Sequence, residues 1–136
     1  MKTIEEIRAF FDQDHYACGL TGIYIEEAAP GYSRLSLEIE EKHLNGSGHV
    51  MGGVYFTLAD LAVAVAANQD FDNEISVAVN SQISFIASVT GGKIFAEAHM
   101  VKDGRKILFC DVRITDAEGK ILATSSTTSY RVRQEK

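Results

Sequence analysis

The stretch Val54–Ala67, VYFTLADLAVAVAA, decides how the rest of this sequence must fold. It is apolar on every side apart from Thr57 and Asp60. Its alanines favour helix, and a helix that is apolar all round has to be covered all round. It is also too short to cross a bilayer, which takes about 20 residues.

The sequence on either side changes to a period of two. Downstream, Ile75–Ile86, Lys93–Lys102, Lys106–Thr115 and Lys120–Val132 read as strands. Thr90-Gly91-Gly92, Asp103-Gly104-Arg105 and Asp116–Gly119 separate them. Asp103-Gly104 and Glu118-Gly119 are tight-turn signals, because glycine supplies the positive φ such turns use. Upstream, from Leu20, Ile23 and Ile25 alternate with polar neighbours and Pro30-Gly31 marks a turn. Leu35, Leu37 and Ile39 then alternate with Arg34, Ser36, Glu38 and Glu40, predicting a hairpin with one apolar and one wet face. Strands joined by short turns run antiparallel. The expectation is an α+β chain: one antiparallel sheet of about six strands curled around the central helix. At the N-terminus Thr3-Ile4-Glu5-Glu6 spells a capping box, and Ile4, Ile7, Phe10 and Phe11 place a short amphipathic helix over Ile4 to about Gln13.

The full chain, residues 1–136, reads as a single domain, the default at this length. A hydrophobic share of 46% excludes a largely disordered chain. Thirteen basic residues against 19 acidic ones leave a net charge of -6. With no basic run present, a duplex-binding surface is excluded as well. Cys18 and Cys110 stand far apart without CxxC spacing, so they read as buried thiols in a reducing cytosol rather than a zinc site or a disulfide. Met1–Gln13 is charged and lacks the apolar core of a secretory signal. A cytoplasmic protein without a membrane role is expected. A domain of this size leaves one face of its apolar helix uncovered, which predicts two or four copies.

The loop entering the helix, Lys42-His43-Leu44-Asn45-Gly46-Ser47-Gly48-His49-Val50-Met51-Gly52-Gly53, holds the chemistry-bearing pattern. Gly52 and Gly53 fall where the first amide N–H groups of a helix have no intrahelical partner. Glycine there admits close approach of a ligand, and the positive end of the helix dipole favours a developing negative charge. Spacing alone favours a simpler reading, a tight loop-to-helix entry. Asp60 adds weight to the chemical one. An ionised carboxylate two turns into an apolar helix is costly unless paired or hydrated, and one kept there is a candidate base or nucleophile with a raised pKa. An Asp satisfied by a neighbouring serine or amide at a packing seam is the alternative.

Asn45, Gly52-Gly53, Phe56-Thr57-Leu58-Ala59-Asp60 and the alanine-rich helix ending at Asn68 together resemble the hotdog-fold acyl-CoA thioesterases of the PaaI-like type. The resemblance runs from about Gly19 to Val132. It implies an antiparallel β-sheet wrapped around a central α-helix and hydrolysis of an aryl- or short- to medium-chain acyl-CoA to free acid and CoA. It implies no cofactor beyond the coenzyme A carried by the substrate, and no metal. Asp60 would be the catalytic carboxylate, the Gly52 amide would polarise the carbonyl, and Asn45 would position the thioester or water. The family shares its site across a dimer interface, so Asn45 and Gly52 would face Asp60 of a second copy. Gly53, together with Lys102, Arg105 and Lys106 around the Asp103-Gly104 turn, would contact the coenzyme A portion. Arg131 and Arg133 form a second basic group. Turn-flanking cations also serve simply to keep hairpin tips soluble.

The chain departs from the family at Met51, which stands where the family has histidine and can neither titrate nor donate a hydrogen bond. That motivates an alternative reading as a non-catalytic acyl-CoA binder. A hotdog hydratase ranks last, because it needs a His–Asp pair that the motif lacks. Among the other polar residues, Ser125–Thr128 read as solvent-side strand positions, and no GxSxG elbow accompanies them. His15 and His99 have no partner at ligand spacing. Tyr55 and Phe56 fit either an acyl pocket or the core, and Asn80, Ser81 and Ser84 lie on the strand after the helix.

Overall fold

The computed structural model describes residues 1–133. Helix α1, Ile4–Phe11, starts at the expected capping box: the Thr3 hydroxyl accepts from the Glu6 amide and the Glu6 carboxylate accepts from the Thr3 amide, both at 3.2 Å. Ile7 and Phe11 are buried, and Phe10 stacks on Phe71 at 4.1 Å. A helix this short is held by docking rather than by propensity.

Between α1 and the first strand lies a π-helical segment, His15–Thr21, where the sequence showed only a change of period. The Asp14 side chain caps it by accepting from the Ala17 amide at 2.8 Å. Leu20, read as the start of a strand, instead sits in this segment and is exposed, because the segment turns it away from the core.

The strands follow as β1 (Tyr24–Ala29), β2 (Tyr32–Glu38), β3 (Glu74–Phe85), β4 (Lys93–Asp103), β5 (Ile107–Asp116) and β6 (Ile121–Arg133). They form one six-stranded antiparallel sheet in the order β1-β2-β4-β5-β6-β3. The turn at Gly119 uses the expected positive φ, 87°. Gly104 does not. Its φ lies outside that region, and glycine is required there because a Cβ would stand 2.3 Å from the Ile107 carbonyl oxygen.

Helix α2, Gly52–Ala67, lies across the concave face of the sheet. Leu35, Leu37, Ile94, Val112 and Ile114 meet Leu58, Leu61, Ala62 and Val65 there, all buried. Each such aliphatic side chain contributes about 1.5–3 kcal/mol on burial. Ala96 and Ala98 let the helix approach closely, and the buried Ser33 hydroxyl donates to the Ala62 carbonyl at 2.7 Å. This is the α+β hotdog arrangement.

Two polar stretches differ from the expectation. Ser36, assigned to the wet face of its hairpin, is buried, because its hydroxyl donates to Glu26 at 2.7 Å. Ser125–Thr128 are not uniformly on the solvent side: Ser125 and Thr127 are buried and alternate with the exposed Ser126, as strand pleating dictates. The Thr127 hydroxyl meets that of Ser81 at 2.8 Å.

Candidate functional site

The loop before α2 is a closed, self-bonded structure. His43 anchors it from inside: Nδ1 accepts from the Glu40 amide at 2.9 Å and Nε2 faces the Thr21 carbonyl at 2.8 Å. With Nδ1 accepting, the ring proton lies on Nε2 and is donated to the Thr21 carbonyl, which makes His43 a buried strut of the loop. Asn45 organises the loop tip. Its side-chain carbonyl accepts from the Ser47 amide at 2.9 Å, the Ser47 hydroxyl at 2.8 Å and the His49 amide at 3.2 Å. With the carbonyl committed, the side-chain NH2 of Asn45 is the group left to meet a ligand. His49 is exposed, 3.3 Å from the Ser47 hydroxyl.

Met51 is the N-cap of α2 and its side chain makes no capping hydrogen bond. The amides of Gly52 and Gly53 in the first turn are therefore available to an acceptor from outside the helix. The two glycines are not equivalent. A Cβ at Gly53 would meet only the Met51 side chain at an ordinary 3.7 Å, whereas one at Gly52 would press on the Phe85 ring at 3.1 Å. Gly52 borders a cavity of about 430 Å³ whose other walls include Val50, Tyr55, Phe85 and Ile86. Tyr55 is itself buried and donates to the Ala87 carbonyl at 3.3 Å. A carbonyl oxygen brought to Gly52 would thus carry its acyl group along an apolar wall.

Asp60 is not enclosed within the protomer. Gly53, Asp60 and, partly, Phe56, Thr57, Ala64 and Ala67 form an uncovered stripe along α2, and the Asp60 carboxyl emerges from its middle. The helix is apolar by composition, yet it presents its one carboxylate on the face the sheet leaves bare. Asp60 lies between two cavities. One, of about 360 Å³, is shared with Asp14, Tyr16, Phe56 and Thr57; the other, of about 390 Å³, is shared with Ser76, Val77, Ala78 and Ser129. Apolar surroundings push the Asp60 carboxyl up from its ordinary value, and the Asp14 carboxylate adds to the shift. Asp14, Ser76 and Ser129 carried no sequence signal, since only the fold brings them beside the helix.

Gly52 and Asp60 do not meet within one protomer. Eight residues separate them on α2, about 12 Å along the axis. Both border the same edge strand, however. Gly52 touches Phe85 near the end of β3, and Asp60 faces Ser76–Ala78 near its start. The outer edge of β3 has no neighbouring strand among the described residues, and Val77, Val79, Phe85 and Ile86 are exposed along it.

Lys102, Arg105 and Lys106 are exposed around the β4–β5 turn. Arg131, read with Arg133 as a second basic group, is committed elsewhere: its guanidinium is 2.8 Å from the Asp103 carboxylate and 3.4 Å from that of Glu74. A further cavity, of about 600 Å³, lies at the other end of α2 beside Ala66, Ala67 and Asp70, away from Gly52.

Residues 47–123 match the thioesterase superfamily. Human acyl-coenzyme A thioesterase 13 is 29% identical over 128 residues, covering 93% of this chain and 91% of the relative. A relative from Deinococcus radiodurans is 34% identical over 116 residues, 83% of this chain and 77% of its own length. Among solved structures, a mutant of the phenylacetic acid degradation protein PaaI from Thermus thermophilus is similar with a TM-score of 0.79 and 27% identity, covering 85% of this chain and 97% of that one.

Proposed function

The chain belongs to the thioesterase superfamily and is a thioester hydrolase, and from that premise we propose that its substrates are acyl-coenzyme A thioesters with aryl or short- to medium-chain acyl groups. The observation that carries the assignment of roles is the placement of Gly52 and Asp60 at opposite ends of one unpaired strand edge. A two-fold axis near the middle of β3 exchanges those ends. Two copies paired along β3 set the Gly52 amide of one protomer beside Asp60 of the other, and cover the apolar edge residues in the same step.

In the assembled site the thioester carbonyl oxygen accepts from the Gly52 N–H at the positive end of α2, where negative charge on that oxygen is stabilised. The ionised Asp60 carboxylate of the second copy removes a proton from water as the water oxygen attacks the carbonyl carbon, or attacks that carbon itself. On the first route the C–S bond breaks, the CoA thiolate takes back the proton that Asp60 removed from water, and the free acid leaves. On the second, C–S cleavage expels the thiolate, which is protonated by solvent, and leaves an Asp60–acyl anhydride that a water then hydrolyses to the free acid and the restored carboxylate. The Asn45 amide group orients the thioester or the water, and the hydroxyls of Ser76 and Ser129 border the space beside Asp60. Gly53 leaves room for the pantetheine arm, and Lys102, Arg105 and Lys106 attract the nucleotide phosphates against a net charge of -6. Met51 in place of the family histidine removes a side-chain donor but leaves the Gly52 amide intact. The reading places the enzyme in the cytosol as a dimer or a dimer of dimers; among the described residues no helix is long and apolar enough to cross a membrane.

The test is thiol release from a panel of acyl-CoAs by wild type and Asp60→Asn. The variant is expected to fold, bind CoA, and lose about 100- to 10,000-fold in kcat, the range for removing a catalytic base. Full activity in Asp60→Asn would reduce Asp60 to a structural residue.

A further inference from the structure

Arg131 is tied to the β4–β5 turn more tightly than any packing need explains. Its backbone N–H donates to the Lys106 carbonyl at 2.7 Å, and its guanidinium donates to the Gly104 carbonyl at 3.3 Å and to the Asp103 carboxylate at 2.8 Å. The third guanidinium nitrogen lies 3.4 Å from the Glu74 carboxylate on β3. The Arg131 side chain is only 16% exposed, against 57% for Asp103, so the arginine is the fixed partner and the turn is what it holds.

The charge arrangement gives this a function. Three exposed cations, Lys102, Arg105 and Lys106, surround one anion, Asp103, and a second anion, Glu74, stands behind it. Left alone, these carboxylates would repel a phosphate that the three cations attract. A guanidinium can meet both carboxylates and a turn carbonyl at once because its donors are fixed in a planar fork; a lysine ammonium is a point charge without that geometry.

We propose that Arg131 is a positioning residue for phosphate recognition: it clamps the Lys102–Lys106 turn and pairs with both Asp103 and Glu74, cancelling one of their two negative charges, so that the three cations outweigh the remaining one toward the substrate's nucleotide phosphates. The proposal rests on the reading of that turn as the coenzyme A phosphate site. Arg131 touches no substrate itself. Its removal weakens recognition of the nucleotide and leaves the reaction at Gly52 and Asp60 unchanged.

The experiment compares hexanoyl-CoA with hexanoylpantetheine, which carries the same thioester without the nucleotide, and titrates free CoA by calorimetry. Arg131→Ala is expected to raise KM for hexanoyl-CoA and Kd for CoA about tenfold, with kcat and both constants for hexanoylpantetheine held within about twofold. Arg131→Lys, which keeps the charge and loses the fork, is expected to shift the same constants about threefold, and it serves if the alanine variant fails to fold. The triple variant Lys102→Ala/Arg105→Ala/Lys106→Ala is the control. If it weakens CoA selectively and neither Arg131 variant does, the positioning role is wrong and the phosphate site stands. If the triple variant leaves CoA binding unchanged, the phosphate site itself is wrong, and the role of Arg131 goes with it. Equal losses on both substrates in the Arg131 variants would mark a merely structural residue and overturn the proposal.

Discussion

Two inactive variants should restore activity when they share a dimer. Gly52 is the first residue of α2, and Met51 before it is extended at φ -66° and ψ 140°. Those are the conditions a proline accepts: first helical position, no intrahelical use for its N–H, and an extended predecessor. Gly52→Pro therefore deletes the proposed carbonyl donor and keeps the helix. The added ring meets Phe85, whose ring must give by a few tenths of an ångström. Losing one such donor costs about 100- to 1,000-fold in kcat. Asp60→Asn supplies the complementary defect. Because about 12 Å of helix separates the two residues, each reacting centre of the proposed dimer would draw Gly52 from one chain and Asp60 from the other. When equal amounts of the two variants are unfolded together and refolded, half of the dimers are mixed. Each mixed dimer has one intact centre and one doubly defective one, so about a quarter of wild-type activity should return. Thiol release measured before and after mixing reads this directly. A mixture no more active than its parents would refute the shared centre, and with it the roles given to Gly52 and Asp60.

Two further outcomes follow from the same geometry. In the proposed reaction Asp60 works ionised, and its apolar surroundings first and the Asp14 carboxylate second raise its pKa from the ordinary value, so activity should fall as pH drops through it. Asp14→Asn keeps the acceptor that caps Ala17 and removes the charge, and it should move the acidic limb of kcat/KM to lower pH; a limb that stays in place would separate Asp14 from the reaction. The linkage runs the same way for stability. A carboxyl with a raised folded pKa contributes stability at low pH that is lost as pH rises through that value, so Asp60→Asn should melt higher than wild type near neutral pH. Val79, 61% exposed on the free edge of β3, tests the assembly: Val79→Lys should sediment as a monomer with an unchanged far-ultraviolet spectrum and lose most activity, and a fully active monomer would contradict the shared site.

Much of the fold was legible because its signals are local. The capping box at Thr3, the alternation along β4 to β6 and the apolar run of α2 each specify a backbone state through neighbouring side chains, and each appears within a residue or two of its expected place. The His15–Thr21 segment carried no such signal, since a π-helical turn is set by the Asp14 cap and by docking on α2, not by a period. Gly104 shows the same limit. Sequence placed a turn there, but the cause is the nearby Ile107 carbonyl, not a positive φ.

For the site, the sequence by itself determined the chemistry on offer: a carboxylate on a helix, glycine amides at that helix's start, and three cations at one turn. Only the tertiary structure decided what surrounds each of them. It set Asp60 on the uncovered stripe of α2 beside Asp14 and Ser76, turned His43 into a strut, committed the Asn45 carbonyl to its own loop, and drew Arg131 away from solvent to hold Asp103 and Glu74. The physical reason is range. Propensity, capping and alternation act over a few residues, whereas solvation and charge pairing depend on groups that lie tens of residues apart in the chain and become neighbours only when the sheet closes on its helix.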